Sequence, residues 1–347
     1  MDTLLPIIAI VLSIIITALL GKVFIPWLRK LKFGQTILEI GPKWHKGKQG
    51  TPTMGGFMFI IGILVSVAVA LTVGLVAGDN NLFSELIPAG APNKLKIVRL
   101  IAGLLLAIMT GAVGFFDDYI KVVKKRNLGL TAKQKTMLQL LIAAAYLATL
   151  ALAGDHTTSI PFVNVEISTV SGIGLIYWPI SLIFIYGFTN AVNLTDGVDG
   201  LASSVTMVVS AIYMCICTIL HCYGFSIVAA AVAGGCIGFL FWNLHPAKVF
   251  MGDTGSMFLG GIVVAIAFGS GYPVLLFLCG IVYLLEAMSV VIQVAYYKKT
   301  GKRLFKMSPI HHHFELSSWS ENKIVLVFSC VAAVGGLIAF LLVKFGA

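Results

Sequence analysis

Ten stretches of this chain are long and apolar enough to cross a lipid bilayer, and that limits the fold more than any other feature. A hydrocarbon core about 30 Å thick needs roughly 20 apolar residues per helix. Such runs lie near 4–24, 55–77, 95–116, 134–153, 173–191, 200–221, 225–242, 256–270, 273–297 and 323–344. The expected fold is an all-α polytopic membrane protein of about ten transmembrane helices, forming one domain over residues 1–347. Composition agrees, since 59% of residues are hydrophobic and only 11% charged, which a soluble globular chain of this length does not show. Met1 is followed by Asp2, and the first run ends in "GKVFIPWLRKLK", so no cleavable signal is read and the first span is expected to stay. The six cysteines fall in or beside apolar runs without a CxxC pair and read as packing residues.

The distribution of Lys and Arg sets an orientation. The connections after odd-numbered spans hold 20 of the 24, leaving only Lys94, Lys96, Arg99 and Lys344 elsewhere. By the positive-inside rule the odd connections face the cytoplasm and both termini lie outside. The net charge of +10 is then a one-sided field toward anionic headgroups and anionic cytoplasmic solutes, with no soluble basic domain to carry a nucleic acid. On the outer side, "SIPFVNVEIS" (159–168) alternates apolar and polar residues in the manner of a short hairpin.

Acidic residues and histidines gather in five odd connections. These read "KWHKGKQGTPTMGG" (43–56), "FFDDYIKVVKKRNLGLTAKQK" (115–135), "NAVNLTDGVDGLA" (190–202), "NLHPAKVFMGDTGS" (243–256) and "KKTGKRLFKMSPIHHHFE" (298–315). Carboxylates of this kind suit Mg²⁺, which takes one or two of them together with substrate phosphate oxygens. Lysines and glycine-flanked amides suit the phosphates themselves. Magnesium-assisted phosphoryl transfer at the inner interface is the natural reading. Neighbours on a helix diverge by about 100°, so Asp117 and Asp118 are expected to have unlike roles. The internal triplet His311, His312 and His313 has no HExxH or Cys partner for zinc and suits contacts to phosphate or sugar oxygens instead. Glu286 lies inside the ninth run, where a carboxylate is either functional or paired; a lipid groove beside it is one expectation.

Taken together, "GTPTMGG", "FFDDYIKV", "NAVNLTDGVDGLA", "NLHPAKVFMGDTGS" and "MSPIHHHFE" resemble the phospho-N-acetylmuramoyl-pentapeptide transferases. These form a branch of the polyprenyl-phosphate N-acetylhexosamine-1-phosphate transferase superfamily. The resemblance spans nearly the whole chain. It implies transfer of phospho-MurNAc-pentapeptide from UDP to undecaprenyl phosphate, giving lipid I and UMP, by a Mg²⁺-dependent homodimer in the bacterial cytoplasmic membrane. It further implies a catalytic set of Asp117, Asp118 and Asp253 joined by His311, His312 and His313, with Asp253 and Asp118 at the metal. Asn193, Asp196, Gly197, Val198 and Asp199 fall where the family handles the nucleotide, and Phe250 where uracil would stack. Lys48, Thr53, Lys121, Lys125, Lys135 and Asn243 match positions lining the same cleft.

The acceptor is a phosphate monoester with a second pKa of about 6, largely a dianion at neutral pH, which favours direct attack on the β-phosphorus over a phosphorylated-Asp route. The rivals are a sister enzyme using UDP-GlcNAc and a secondary transporter. Against the transporter, the acidic residues lie in the connections and the chain has no repeated halves.

Overall fold

The computed structural model describes residues 3–31, 48, 50–82, 91–123, 129–160 and 165–346. In hydrocarbon a backbone must satisfy its own polar groups, so each apolar run closes as a helix. Ten helices among the described residues are long and apolar enough to cross a membrane. The first five are α1 (Leu4–Lys30), α2 (Gly56–Val76), α3 (Ala91–Val123), α4 (Ala132–Leu152) and α5 (Tyr177–Thr195). There follow α6 (Leu201–Ile219), α7 (Tyr223–Asn243), α8 (Gly252–Gly269) and α9 (Ile281–Thr300). A short helix, α10 (Ile310–Glu315), precedes the last span, α11 (Glu321–Gly346).

Helices α7 and α8 form the centre. Of their most apolar windows 83% and 89% are buried, against 28–56% in the other eight, whose remaining apolar surface faces outward as lipid contact requires. Small residues explain the position of α7, because "AAAVAGG" (229–235) lets α1 approach closely. Helix α8 packs most extensively along α3 and also touches α2, α5 and α6, so its first turn is approached from several directions.

The expected hairpin is present as β1 (Thr157–Ile160) and β2 (Val165–Ser168), antiparallel with Thr157 opposite Ser168. Beside it, Arg99 of α3 makes a bidentate pair with Asp155, at 2.9 and 2.6 Å.

Three boundaries differ from the sequence expectation in ways that matter. Helix α3 continues through "FFDDYIKVV", so Asp117 and Asp118 stand on its last turns rather than in a loop. An i,i+4 pair between Asp117 and Lys121 at 2.6 Å supports that extension. Helix α8 begins at Gly252, four residues before the expected apolar start, which puts Asp253 in its first turn. The ninth run is broken: residues 273–279 make short helical turns from Pro273, and α9 starts after Gly280.

Candidate active site

At the end of the bundle where the odd connections meet, the ends of four helices converge. A helix start leaves backbone N–H groups unpaired and carries partial positive charge, so it attracts a carboxylate. Asp118 meets that need for α8. Its Oδ2 accepts from Thr254 N at 2.9 Å and Thr254 Oγ1 at 2.7 Å, and its Oδ1 accepts from Asp253 N at 3.2 Å. Gly252 permits the contact, since its φ of +70° suits glycine and a Cβ there would lie 2.6 Å from Asp118 Oδ2 and 2.8 Å from Thr53 Oγ1.

Asp253 is the hub. Its Oδ1 accepts from Asn193 Nδ2 at 2.9 Å, and its Oδ2 accepts from the ammonium groups of Lys121 and Lys135, each at 3.0 Å. Lys135 is delivered by the start of α4, which a capping box fixes: Thr131 Oγ1 accepts from Gln134 N, and Gln134 Oε1 accepts from Thr131 N. Asp117 accepts from Leu130 N at 2.8 Å and shares the Lys121 ammonium with Asp253, its Oδ2 2.6 Å from that nitrogen. The adjacent carboxylates therefore have unlike partners, as expected. Even so, one oxygen from each of Asp117, Asp118 and Asp253 lies within 4.8 Å of the other two. Divergence by about 100° does not prevent convergence when the third carboxylate sits between the two directions. Three oxygen donors and no nitrogen or sulfur suit a hard divalent cation.

A second polar cluster lies on the neighbouring loops. Lys48 donates to Asp199 Oδ1 and to Glu321 Oε2, both at 2.7 Å. Glu321, the first residue of α11, also accepts from Asp199 N at 3.0 Å, and its Oε1 lies 3.3 Å from His245 Nδ1. Asp199 Oδ2 accepts from Ala247 N at 3.1 Å and sits 3.0 Å from His245 Nδ1. Asn243 is buried: its Oδ1 accepts from Gly200 N and Ser203 Oγ, while its Nδ2 donates to Val249 O. It ties the 196–200 and 243–249 loops together instead of facing the cleft. Phe250 is half-buried, its backbone joined on both sides to the 52–55 segment, with Phe250 N donating to Pro52 O and Gly55 N to Phe250 O.

Between the clusters runs the loop from Asp196 to Asp199, with Val198 buried beneath it. The Asp196 carboxyl is pushed up to about 8 by burial first, then by Asp253, Asp118 and Asp199, with Lys48 opposing.

The three histidines do not act as one unit. His311 is fully buried and its Nδ1 lies 3.0 Å from Glu286 Oε2. His312 pairs through Nδ1 with buried Glu315 at 2.6 Å. His313 Nδ1 accepts from Lys306 N at 3.2 Å, and its ring packs on Phe305. Glu286, beside which a lipid groove is expected, has no exposed surface and turns its Oε2 toward His311.

Against known proteins, residues 100–271 match the model of glycosyl transferase family 4. The chain is 43% identical over 334 residues to the phospho-N-acetylmuramoyl-pentapeptide-transferase of Halalkalibacterium halodurans, covering 96% of each. It is 44% identical over 333 residues to the protein of that name in Clostridium perfringens strain SM101, covering 96% of this chain and 95% of the other. The chain belongs to the phospho-N-acetylmuramoyl-pentapeptide-transferase family.

Within this transferase, Asp117, Asp118, Asp253, Lys121, Lys135 and Asn193 come together around the start of α8, with Thr53 beside Asp118. Lys48 and Asp199 form the second cluster; Lys125 lies outside the described residues. Sequence reasoning missed Glu321, His245 and Thr254. Glu321 stands in "WSENK" at the edge of the last span, away from every motif, and only its position opposite Lys48 singles it out.

Proposed function

We propose that this transferase passes phospho-MurNAc-pentapeptide from UDP-MurNAc-pentapeptide to undecaprenyl phosphate, forming lipid I and releasing UMP. We place the site on the cytoplasmic face of a bacterial membrane, with both termini outside and two copies forming a homodimer. The observation that carries this reading is the Asp117, Asp118 and Asp253 group, set with two lysines at the end of the bundle richest in cations. A lipid phosphate whose tail stays in hydrocarbon can reach such a place, and so can an aqueous nucleotide sugar.

Mg²⁺ fits the all-oxygen donor set, with Asp253 and Asp118 as ligands and Asp117 beside them. When bound it would neutralise charge on the pyrophosphate and on departing UMP. The chain's own groups do the rest. Lys121 and Lys135, held on Asp253, lie where phosphate oxygens would take a share of their N–H donors. Asp117 orients the acceptor and takes any residual proton. An acceptor oxygen forms the new bond to the β-phosphorus, and the bond to the bridging oxygen breaks with its electron pair leaving on UMP. Asp196 and the 197–199 backbone hold the nucleotide, stacked on Phe250.

The test is UMP release by the purified protein. It should require both UDP-MurNAc-pentapeptide and undecaprenyl phosphate, fall at least a hundredfold with EDTA, and return with Mg²⁺. Release from UDP-GlcNAc instead, or label exchange from UMP into the donor without lipid, would overturn the assignment or the direct route respectively.

Glu321 supplies a second prediction. Its replacement by glutamine removes the charge that accepts from both the Lys48 ammonium and Asp199 N, a charge-assisted contact worth about 1.5–3 kcal/mol. The KM for the nucleotide sugar should rise roughly tenfold or more with kcat little changed, since the loop is loosened and the acidic group is not touched. A fall in kcat at constant KM would contradict a role confined to the loop.

A further inference from the structure

A carboxylate deep in a membrane protein is costly unless it is paired and serves a purpose. Glu286, on α9, and His311, on α10, both have 0% exposure. His311 Nδ1 lies 3.0 Å from Glu286 Oε2, and the His311 backbone N–H points to the same oxygen at 3.5 Å. Glu286 thus grips both the ring and the backbone of one residue. Two atoms of the pair are left over: Glu286 Oε1 and His311 Nε2 are buried without a hydrogen-bond partner. A buried polar atom left unpaired in a native site marks a place where something else completes the bonding.

The direction of Nε2 is fixed by its neighbour. It presses on Gly197, where any Cβ would collide with it, so the ring edge meets the backbone of the 196–199 loop. The nitrogen is turned toward the segment that the proposed function gives to the nucleotide sugar, and away from Glu286.

We propose that Glu286 is a positioning residue of this transferase, which holds the Nδ1 proton of His311 and so aims His311 Nε2 at the donor substrate beside Gly197. The inference rests on the functional reading above for the identity of that substrate. A carboxylate on one ring nitrogen sets both the tautomer and the orientation of the other. Glu286 acts only through His311 and touches no substrate, while Glu315 plays no part because it faces His312.

The experiment is a double-mutant cycle with Glu286→Gln and His311→Gln, read by UMP release in detergent. His311→Gln should lower kcat/KM for the nucleotide sugar about a hundredfold and Glu286→Gln about tenfold. The double variant should stay within twofold of His311→Gln alone, and the KM for undecaprenyl phosphate should not move in Glu286→Gln. Multiplying effects, parental kcat/KM in Glu286→Gln, or a change confined to the lipid KM would overturn the proposal. Histidine-selective ¹⁵N NMR of the parent protein gives a readout independent of activity and of substrate identity. The signal lost in His311→Gln should show a proton on Nδ1; a neutral ring protonated only at Nε2 would overturn the pairing. If the parent released no UMP from UDP-MurNAc-pentapeptide, the substrate reading would fail while the NMR result still decided the role of Glu286.

Discussion

Replacing Asp253 by asparagine should lower kcat for UMP release by about a thousandfold or more, equivalent to roughly 4 kcal/mol of lost transition-state stabilisation. The magnitude follows from what this one carboxylate holds. Its Oδ2 is the shared acceptor for Lys121 and Lys135, its Oδ1 receives Asn193, and it completes the oxygen group with Asp117 and Asp118. An asparagine keeps the shape and one acceptor but loses the charge that balances two ammonium groups. Lys135 then loses its carboxylate partner, Lys121 keeps only Asp117, and the donor set for a cation drops from three carboxylates to two. The effect should appear in kcat with both substrates saturating, in protein that elutes from size-exclusion chromatography as the parent does. Activity within tenfold of the parent would place the acidic centre of the reaction elsewhere.

The membrane architecture was legible because each span carries its own signal: a run of apolar residues needs no partner to be recognised. The hairpin was legible for a similar reason, as a local alternation. What could not be read was where helices end when their last turns are polar. Asp117 and Asp118 look like loop residues in "FFDDYIKVV", yet the helix continues because Lys121 pairs with Asp117 and the start of α8 receives Asp118. That second contact joins residues 136 positions apart. The same limit hid Glu321 and the partner of Glu286. A lone intramembrane carboxylate announces that it has a partner, but the partner, His311, lies 25 residues away on a different helix. Motif resemblance picked out residues that the fold gathers at the start of α8, while Glu321, which holds Lys48, stood outside every motif.

Asp117 and Asp118 offer the sharpest test of how two neighbouring carboxylates divide their work. Asp118 is 4% exposed and accepts three hydrogen bonds from Asp253 and Thr254, which makes it the cap of α8 as well as a candidate ligand. Removing a side-chain cap costs about 0.5–2 kcal/mol. Asp118→Ala should therefore lose both activity, by at least a hundredfold, and thermal stability. Asn caps a helix nearly as well as Asp, so Asp118→Asn should recover most of the stability and remain inactive. Asp117 caps no helix start: besides its i,i+4 pair with Lys121, worth about 0.2–0.5 kcal/mol, its acceptor contact to Leu130 N lies on a half-buried segment where water can substitute. Asp117→Ala should thus fall in activity by a similar factor with a thermal midpoint close to the parent. The measurement is a paired scan of UMP release and thermal unfolding across the three variants. Equal destabilisation by Asp117→Ala and Asp118→Ala would refute the division, because one aspartate would then not be tied to the start of α8 while the other serves the reaction alone.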